Sequence, residues 1–130
     1  MGNAFVNAQS STGTCTATAP ASAGGVWNLC SLSISMAGPT SGVNAKVTIY
    51  DGSVASGTVL FSAFLIGPGA VGTGIGSVGT IQDIPLPRDP QGRQGVQGTP
   101  GNAMNIQVVG TGADQVSINA RFSDGLPTAP

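Results

Sequence analysis

Short runs of alternating polar and apolar residues, separated by glycine and proline, are the main pattern along this chain. The clearest run covers residues 26–36, where Cys30, Leu32, Ile34 and Met36 occupy every second position and serines stand between them. A period of two places successive side chains on opposite faces of a strand. The pattern therefore predicts half-buried strands at residues 14–19, 26–36, 45–50, 104–109 and 115–122.

Two further segments depart from simple alternation. Residues 58–66 are apolar at most positions, which is typical of a strand covered on both faces or lying at a subunit interface. Residues 81–87 alternate but contain two prolines, which restricts them to a sheet edge or an extended connector. Residues 110–114 are predicted to form a hairpin loop between the last two strands.

These elements predict an all-β fold, because no stretch free of glycine and proline has apolar residues at helical spacing. Six to eight short strands with glycine-rich turns indicate a single antiparallel β-sandwich, either jelly-roll-like or immunoglobulin-like. An immunoglobulin domain has two distant cysteines with a tryptophan between them. Here Trp27 lies between Cys15 and Cys30, which are too close in sequence, so the jelly-roll-like form is favoured.

The domain organisation follows from where the alternation begins and ends. Residues 13–123 are predicted to form the sandwich, with Gly/Pro-rich loops at 67–80 and 85–101. Residues 1–12 carry only Phe5 and Val6 as sizeable apolar groups and are predicted to form an extended N-terminal arm. Residues 124–130 contain two prolines and are predicted to form a C-terminal tail.

The charge pattern limits the possible functions. The chain has four Lys and Arg, five Asp and no His or Glu, so a Ser-His or Cys-His catalytic arrangement is excluded. Enzymatic activity is not expected. Four scattered basic residues cannot neutralise a run of phosphates, so nucleic acid is not an expected partner. A net charge of −1 gives little protection against self-association, which is typical of a subunit inside an assembly.

The candidate ligand motifs have simpler structural interpretations. Gly74-Ile-Gly-Ser-Val-Gly79 matches a dinucleotide-binding pattern, but the residues after it cannot begin a helix. Glycines at every third position of residues 92–101 suit either a very short collagen-like contact or an extended loop. The spacing of the aspartates fits no calcium loop. No cofactor and no metal are expected.

No apolar stretch approaches the length needed to span a bilayer, and the N-terminus lacks the pattern of an ordinary signal peptide. The sequence therefore predicts no membrane partner and synthesis in a reducing cytosol. Cys15 and Cys30 are expected as buried free thiols, with a late disulfide as the alternative.

Two segments resemble known proteins. The run Lys46-Val-Thr-Ile-Tyr-Asp-Gly-Ser-Val-Ala-Ser-Gly-Thr-Val-Leu-Phe61, together with residues 104–122, is similar to small β-sandwich virion proteins of tailed bacteriophages. The similarity covers about residues 26–122 and departs from shorter members at 67–80 and 85–101. The shared motif encodes a hairpin and not a binding site.

The resemblance implies a capsid decoration (cement) protein, made in the host cytoplasm, that binds the outer surface of the virion capsid. Its expected partners are the major capsid protein and copies of itself in a homotrimer. The expected contact residues lie in the arm, the second loop and the tail: Phe5, Val6, Arg88, Asp89, Arg93, Leu126 and Pro127. The alternatives are a head-fibre or tail module that binds a host receptor or glycan, and a secreted carbohydrate-binding module.

Overall fold

The structure, a computed structural model, describes residues 3–21, 25–37, 45–65, 69–70, 77–78, 80–87, 95–110 and 115–124. They form eleven strands: β1 (Asn3–Ser10), β2 (Thr14–Ala19), β3 (Trp27–Ala37), β4 (Ala45–Asp51), β5 (Thr58–Leu65), β6 (Gly69–Ala70), β7 (Ser77–Val78), β8 (Thr80–Asp83), β9 (Val96–Gln97), β10 (Met104–Val109) and β11 (Gln115–Asp124). Across these residues there is no helix that could cross a membrane.

The strands form two main sheets in which every pairing is antiparallel. Sheet A has the order β1-β11-β3-β8, and the short β9 also pairs with β3. Sheet B has the order β2-β10-β4-β5. The prediction of an all-β antiparallel sandwich is confirmed, because the two sheets enclose one shared core.

The strand order is nested. The first strand pairs with the last, and three further pairs lie inside that one: β2 with β10, β3 with β8, and β4 with β5. This is the order that a long antiparallel hairpin adopts when it rolls into two sheets, as in sandwiches built from two Greek keys. It differs from the ABED and CFG sheets of immunoglobulin domains.

The core is built from the inward-facing alternate residues of both sheets. Sheet A contributes Leu32, Ile34, Met36 and Ile118, and sheet B contributes Val47, Ile49, Ile106 and Val108, all of them buried. Phe122 is fully buried and meets Trp27 edge to face, with ring centroids 5.9 Å apart. The Trp27 indole Nε1–H donates to the carbonyl of Pro20 at 2.7 Å, so this tryptophan is a packing residue.

The N-terminal segment is part of the sandwich, and the prediction of an extended arm there is wrong for residues 3–10. Residues 3–10, which we expected as an arm, form β1 and pair with β11 from Asn3↔Ser123 to Ser10↔Val116. Ala4, Val6 and Ala8 pack against the core, and the residues between them face outward. The segment is held because backbone pairing with β11 adds to the small apolar contribution of its side chains.

Two connections also differ from expectation. β10 and β11 do not form the predicted hairpin, because β10 lies in sheet B and β11 lies in sheet A. The chain therefore passes from one sheet to the other at this point. In the predicted loop 85–101, Leu86 and Val96 are buried in the core, and the Gly98 N–H donates to the carbonyl of Trp27 at 2.9 Å.

The β4–β5 hairpin encoded by the Tyr50-Asp51-Gly52 motif is present. Gly52 has a φ of +100°, which favours glycine, and a Cβ at Gly57 would lie 2.7 Å from the carbonyl oxygen of Asp51. The Asp51 carboxylate accepts from the Thr99 N–H at 3.0 Å, the Thr99 hydroxyl at 2.5 Å and the Asn102 amide at 3.2 Å. This cluster ties the hairpin to the segment that precedes β10.

Candidate functional site

The outer surface of sheet A forms the first candidate site. Its side chains alternate with the core residues and, in the strand register, line up in rows across β1, β11, β3 and β8. One row is Phe5, Arg121 and Ser31; the next is Asn7, Asn119, Ser33 and Asp83. We call this set of seven residues the sheet A face.

A cavity of about 550 Å³ lies on the sheet A face. Its lining includes Phe5, Asn7, Ser33, Asp83, Asn119 and Arg121. Pockets for small molecules usually measure about 300–1,000 Å³ and combine apolar surface with a few polar groups. The size and lining of this cavity are therefore suitable for a ligand.

Arg121 and Phe5 form a pair at one end of the cavity. The Arg121 guanidinium carbon lies 4.9 Å from the centre of the Phe5 ring, within the range of a cation–π contact. Phe5 remains 72% exposed. The contact holds the guanidinium against the ring, and the guanidinium carries N–H donors that can serve a ligand.

Amide side chains occupy the middle of the sheet A face. The Asn7 Nδ2 group donates to Asn119 Oδ1 at 2.6 Å, and Gln9 Nε2 donates to Asn7 Oδ1 at 3.2 Å. These bonds orient both asparagines. Each asparagine side chain can make further hydrogen bonds, because an amide has two donors and two acceptor positions.

The alternation predicts Cys30 on the same face as Leu32, but a β-bulge next to the cavity shifts Cys30 away from that face. The register shifts between Arg121 and Phe122, so Leu29 becomes the buried residue and Cys30 is only half buried. The Cys30 thiol lies 3.4 Å from the Ser123 hydroxyl oxygen. Cys15 is buried in the core, and burial raises the pKa of its thiol. Both cysteines are free thiols, as expected, but only Cys15 is fully buried, whereas both were expected to be.

The outer surface of sheet B has a different chemistry. Its outward side chains include three exposed apolar groups: Val59, Phe64 and Val109, which are 54%, 76% and 47% exposed. Thr14, Thr16, Thr48, Tyr50 and Ser62 lie among them, and Lys46 is the single charged member of this set. We call these nine residues the sheet B face. β5, the strand predicted to be covered on both faces or to lie at a subunit interface, has two exposed apolar side chains, Val59 and Phe64.

A second cation–π pair, formed by Lys46 and Phe64, lies on sheet B and corresponds to the Arg121–Phe5 pair on sheet A. The Lys46 Nζ atom lies 5.7 Å from the centre of the Phe64 ring. β5 is also an edge strand of its sheet, because no described strand pairs with its outer side, and an edge of this kind can pair with another chain. The sheet B face therefore combines apolar side chains with an available strand edge.

Of the predicted contact residues, Phe5 and Val6 are described by the structure. Phe5 lies on the sheet A face, as an exposed group. Val6 is partly buried, packs against the core and also lines the cavity on the sheet A face. The other predicted contact residues lie outside the described part of the chain: Arg88, Asp89, Arg93, Leu126 and Pro127.

The residues that the fold gathers around Phe5 are not predicted by the sequence. Arg121 and Asn119 are far from Phe5 in sequence, and only the β1–β11 register places them beside it. The apolar run at residues 58–66 predicts a strand, but its composition does not separate a covered strand from an exposed one. Among the described residues, no group of three His, Cys, Asp or Glu side chains could hold a metal ion.

No protein-family model matches the chain, and no curated protein matches it. A chain in the structure of infectious bursal disease virus, Gt strain, is similar to this one with 16% sequence identity and a TM-score of 0.43. The match covers 95% of this chain but 30% of that one, so the present chain spans less than a third of its neighbour. A likeness at this level carries no argument about function.

Proposed function

We propose that this chain is a non-enzymatic structural protein of a bacteriophage virion, a decoration protein that binds the outer surface of the capsid shell and stabilises it. Its partner in this role is the major capsid protein, and it is made in the host cytoplasm before it joins the capsid surface. The proposal rests on the hairpin resemblance and on the chemistry of the sheet B face.

The exposed apolar residues of the sheet B face are the observation that carries the proposal. Single exposed apolar side chains are normal, but here Val59, Phe64 and Val109 lie on one face of one sheet. Apolar surface of this kind gains free energy when a partner covers it. The other residues of this face are threonines, serine, tyrosine and a single lysine. Docking therefore requires the desolvation of only one charged group, which keeps its free-energy cost small.

The low charge of the whole chain supports a subunit role. Nine charged residues in 130 leave little repulsion between copies, and close packing of many copies on a shell requires the same property. The open edge of β5 offers a second means of attachment, because an extended segment of a neighbouring subunit can add to a sheet edge through backbone hydrogen bonds.

Phe64 provides the sharpest test. Burying a phenylalanine side chain contributes about 1.5–3 kcal/mol. Because Phe64 is 76% exposed, Phe64→Ala is expected to weaken shell binding by about 1–2 kcal/mol, or roughly 5–30-fold in Kd. The measurement is co-sedimentation of the purified protein with shells assembled from the major capsid protein encoded in the same genome.

Phe5→Ala is the matched control, since Phe5 is 72% exposed and also lies under a cation, but on the opposite sheet. Phe5→Ala should leave the occupancy unchanged. Equal binding by Phe64→Ala and wild type would contradict docking through the sheet B face. A loss confined to Phe5→Ala would instead support the N-terminal contact predicted from the sequence.

The homotrimer is part of the same proposal. Three copies around a capsid axis would each use one sheet B face for the shell and would contact one another through other surfaces. Sedimentation equilibrium of the purified protein is expected to give the mass of three chains of 12.7 kDa. A monomer at concentrations that saturate shells would contradict this part of the proposal.

The cavity on the sheet A face favours one alternative, a head-fibre or tail module that binds a host receptor or glycan. In that case the isolated protein would bind host cells, and binding would depend on Arg121 or Asn119 and not on Phe64. Labelled protein that saturates shells but leaves host cells unlabelled would exclude this alternative.

A further inference from the structure

We propose that the cavity on the sheet A face is a binding site for an acidic saccharide, a sugar that carries a carboxylate beside its hydroxyl groups. The inference does not depend on how the sheet B face is used. It rests on the charge, the hydrogen-bonding groups and the apolar surface that the sheet A face brings together.

The charge at one end of the cavity selects an anion. The guanidinium of Arg121 is held over the Phe5 ring, 4.9 Å from its centre, and presents a planar array of N–H donors. A guanidinium pairs with a carboxylate through two parallel hydrogen bonds, which gives both strength and orientation. A ligand carboxylate placed there would lie beside the exposed Phe5 ring, which offers apolar contact to the C–H groups of a sugar.

The other end of the cavity suits hydroxyl groups. Asp83 lies two strands away from Arg121 and one row further along the sheet. From the strand spacing and the rise per residue, their Cα atoms are about 12 Å apart. The Arg121 guanidinium lies over Phe5 on β1, on the side of β11 away from β8, so it is directed away from Asp83. The Asp83 carboxylate can accept hydrogen bonds from hydroxyl groups at the far end of the ligand.

The residues between these two charged groups can both donate and accept hydrogen bonds. Asn7 and Asn119 are oriented by their mutual hydrogen bond of 2.6 Å, and the Ser33 hydroxyl lies in the same row. Amides and hydroxyls that act as donor and acceptor at once match the hydroxyl groups of a sugar, each of which also does both. A purely apolar ligand would displace water from the remaining donor and acceptor positions of these groups without replacing its hydrogen bonds, at a cost in free energy.

An extended peptide is a poorer occupant. Peptides usually bind sheets by adding a strand to an edge, where backbone groups are open. The cavity lies on a face, where β11 pairs with β1 on one side and with β3 on the other, so its side chains are the groups offered. The groups available are those that recognise hydroxyls and a carboxylate.

The test uses two matched pairs of probes: glucuronate with glucose, and galacturonate with galactose. Within each pair the sugars differ in the carboxylate. Titration of the isotopically labelled protein, followed by NMR amide shifts, is expected to show binding of at least one acidic sugar in the millimolar range or tighter, with shifts confined to β1, β3, β8 and β11. The neutral partner should bind at least tenfold more weakly.

Two variants test whether the preference for an acidic sugar comes from Arg121 or from any exposed cation–π pair. Arg121→Gln should abolish the preference for the acidic sugar. Lys46→Gln should not, because Lys46 forms the equivalent cation–π pair on the sheet B face. No shift with either acidic sugar, equal binding of acidic and neutral sugars, or shifts on sheet B would each overturn the proposal. Arg121→Gln is expected to decorate shells normally, so a failure here is distinguishable from a failure of the proposed capsid role.

Discussion

The assignment of residues 3–10 to the sandwich can be tested with a single charged substitution. The side chain of Val6 packs against the core, whereas Gln9, on the same strand, faces solvent. If β1 is an integral strand, Val6→Asp places a carboxylate at the edge of the core. If the segment were a free arm, the same substitution would be harmless.

The magnitude follows from the burial of Val6. Full burial of a valine side chain contributes about 1.5–3 kcal/mol, so a half-buried one loses roughly 1 kcal/mol when it is replaced. Partial desolvation of the new carboxylate adds about 1–3 kcal/mol. The expected loss in the free energy of unfolding is therefore about 2–4 kcal/mol, against a total of about 5–15 kcal/mol for a typical domain.

Urea unfolding followed by circular dichroism measures this loss, and Gln9→Asp is the matched control because it adds the same charge to the outward side of the same strand. We expect Gln9→Asp to change stability by less than about 0.5 kcal/mol. Hydrogen exchange gives a second readout, since the β1 amides that pair with β11 should be protected. Equal stability of the two variants, with fast exchange across residues 3–10, would refute the assignment.

Three further outcomes are expected. Phe122→Ala, which removes a fully buried ring, should cost about 3–5 kcal/mol in urea unfolding, and a loss below 1 kcal/mol would contradict its place in the core. Burial raises the pKa of Asp51, but its hydrogen bonds from Thr99 and Asn102 outweigh burial and hold that pKa below its ordinary value. Asp51 therefore stabilises the fold above pH of about 4, and the contribution is lost as pH falls through the lowered pKa. The stability difference between wild type and Asp51→Asn should shrink on acidification, and a difference that grows would be inconsistent with the hydrogen bonds. In native protein a maleimide should modify Cys30 faster than Cys15, whose thiol is buried and has a raised pKa; faster modification of Cys15 would show that β2 is misplaced.

The sequence predicted most of the strands because a period of two is a local signal. β3, β4 and β10 follow their alternating patterns closely, and Ile34, Val47 and Ile106 are buried as expected. β1 was missed because its inward residues are small, with Val6 flanked by two alanines, and its pairing partner lies at the other end of the chain. Local composition does not indicate a pairing between segments that are this far apart in sequence.

The order of strands was harder to predict than their existence. A glycine-rich connection such as residues 110–114 has the same composition whether it closes a hairpin or carries the chain to the other sheet. The β-bulge near Cys30 was equally hidden, because the alternation predicted Cys30 on the buried face and the register shift places Leu29 there instead.

The candidate sites depend on this long-range order. Phe5 could be selected from the sequence as an exposed apolar residue, but its neighbour Arg121 is set by the β1–β11 register. The sheet B face required knowledge that β5 is an edge strand, because an apolar run alone fits a covered strand equally well. For both sites the sequence shows which residue types are present, but only the fold shows which of them lie side by side.

The most direct test of the proposed role is electron cryomicroscopy of shells incubated with the purified protein. We expect ordered density for the sandwich on the outer surface of the capsid, with β5 and the exposed side chains of Val59 and Phe64 against the major capsid protein. The cavity on the sheet A face should then point away from the shell. Bare shells at saturating protein, or bound protein whose sheet B face is turned to solvent, would contradict the account.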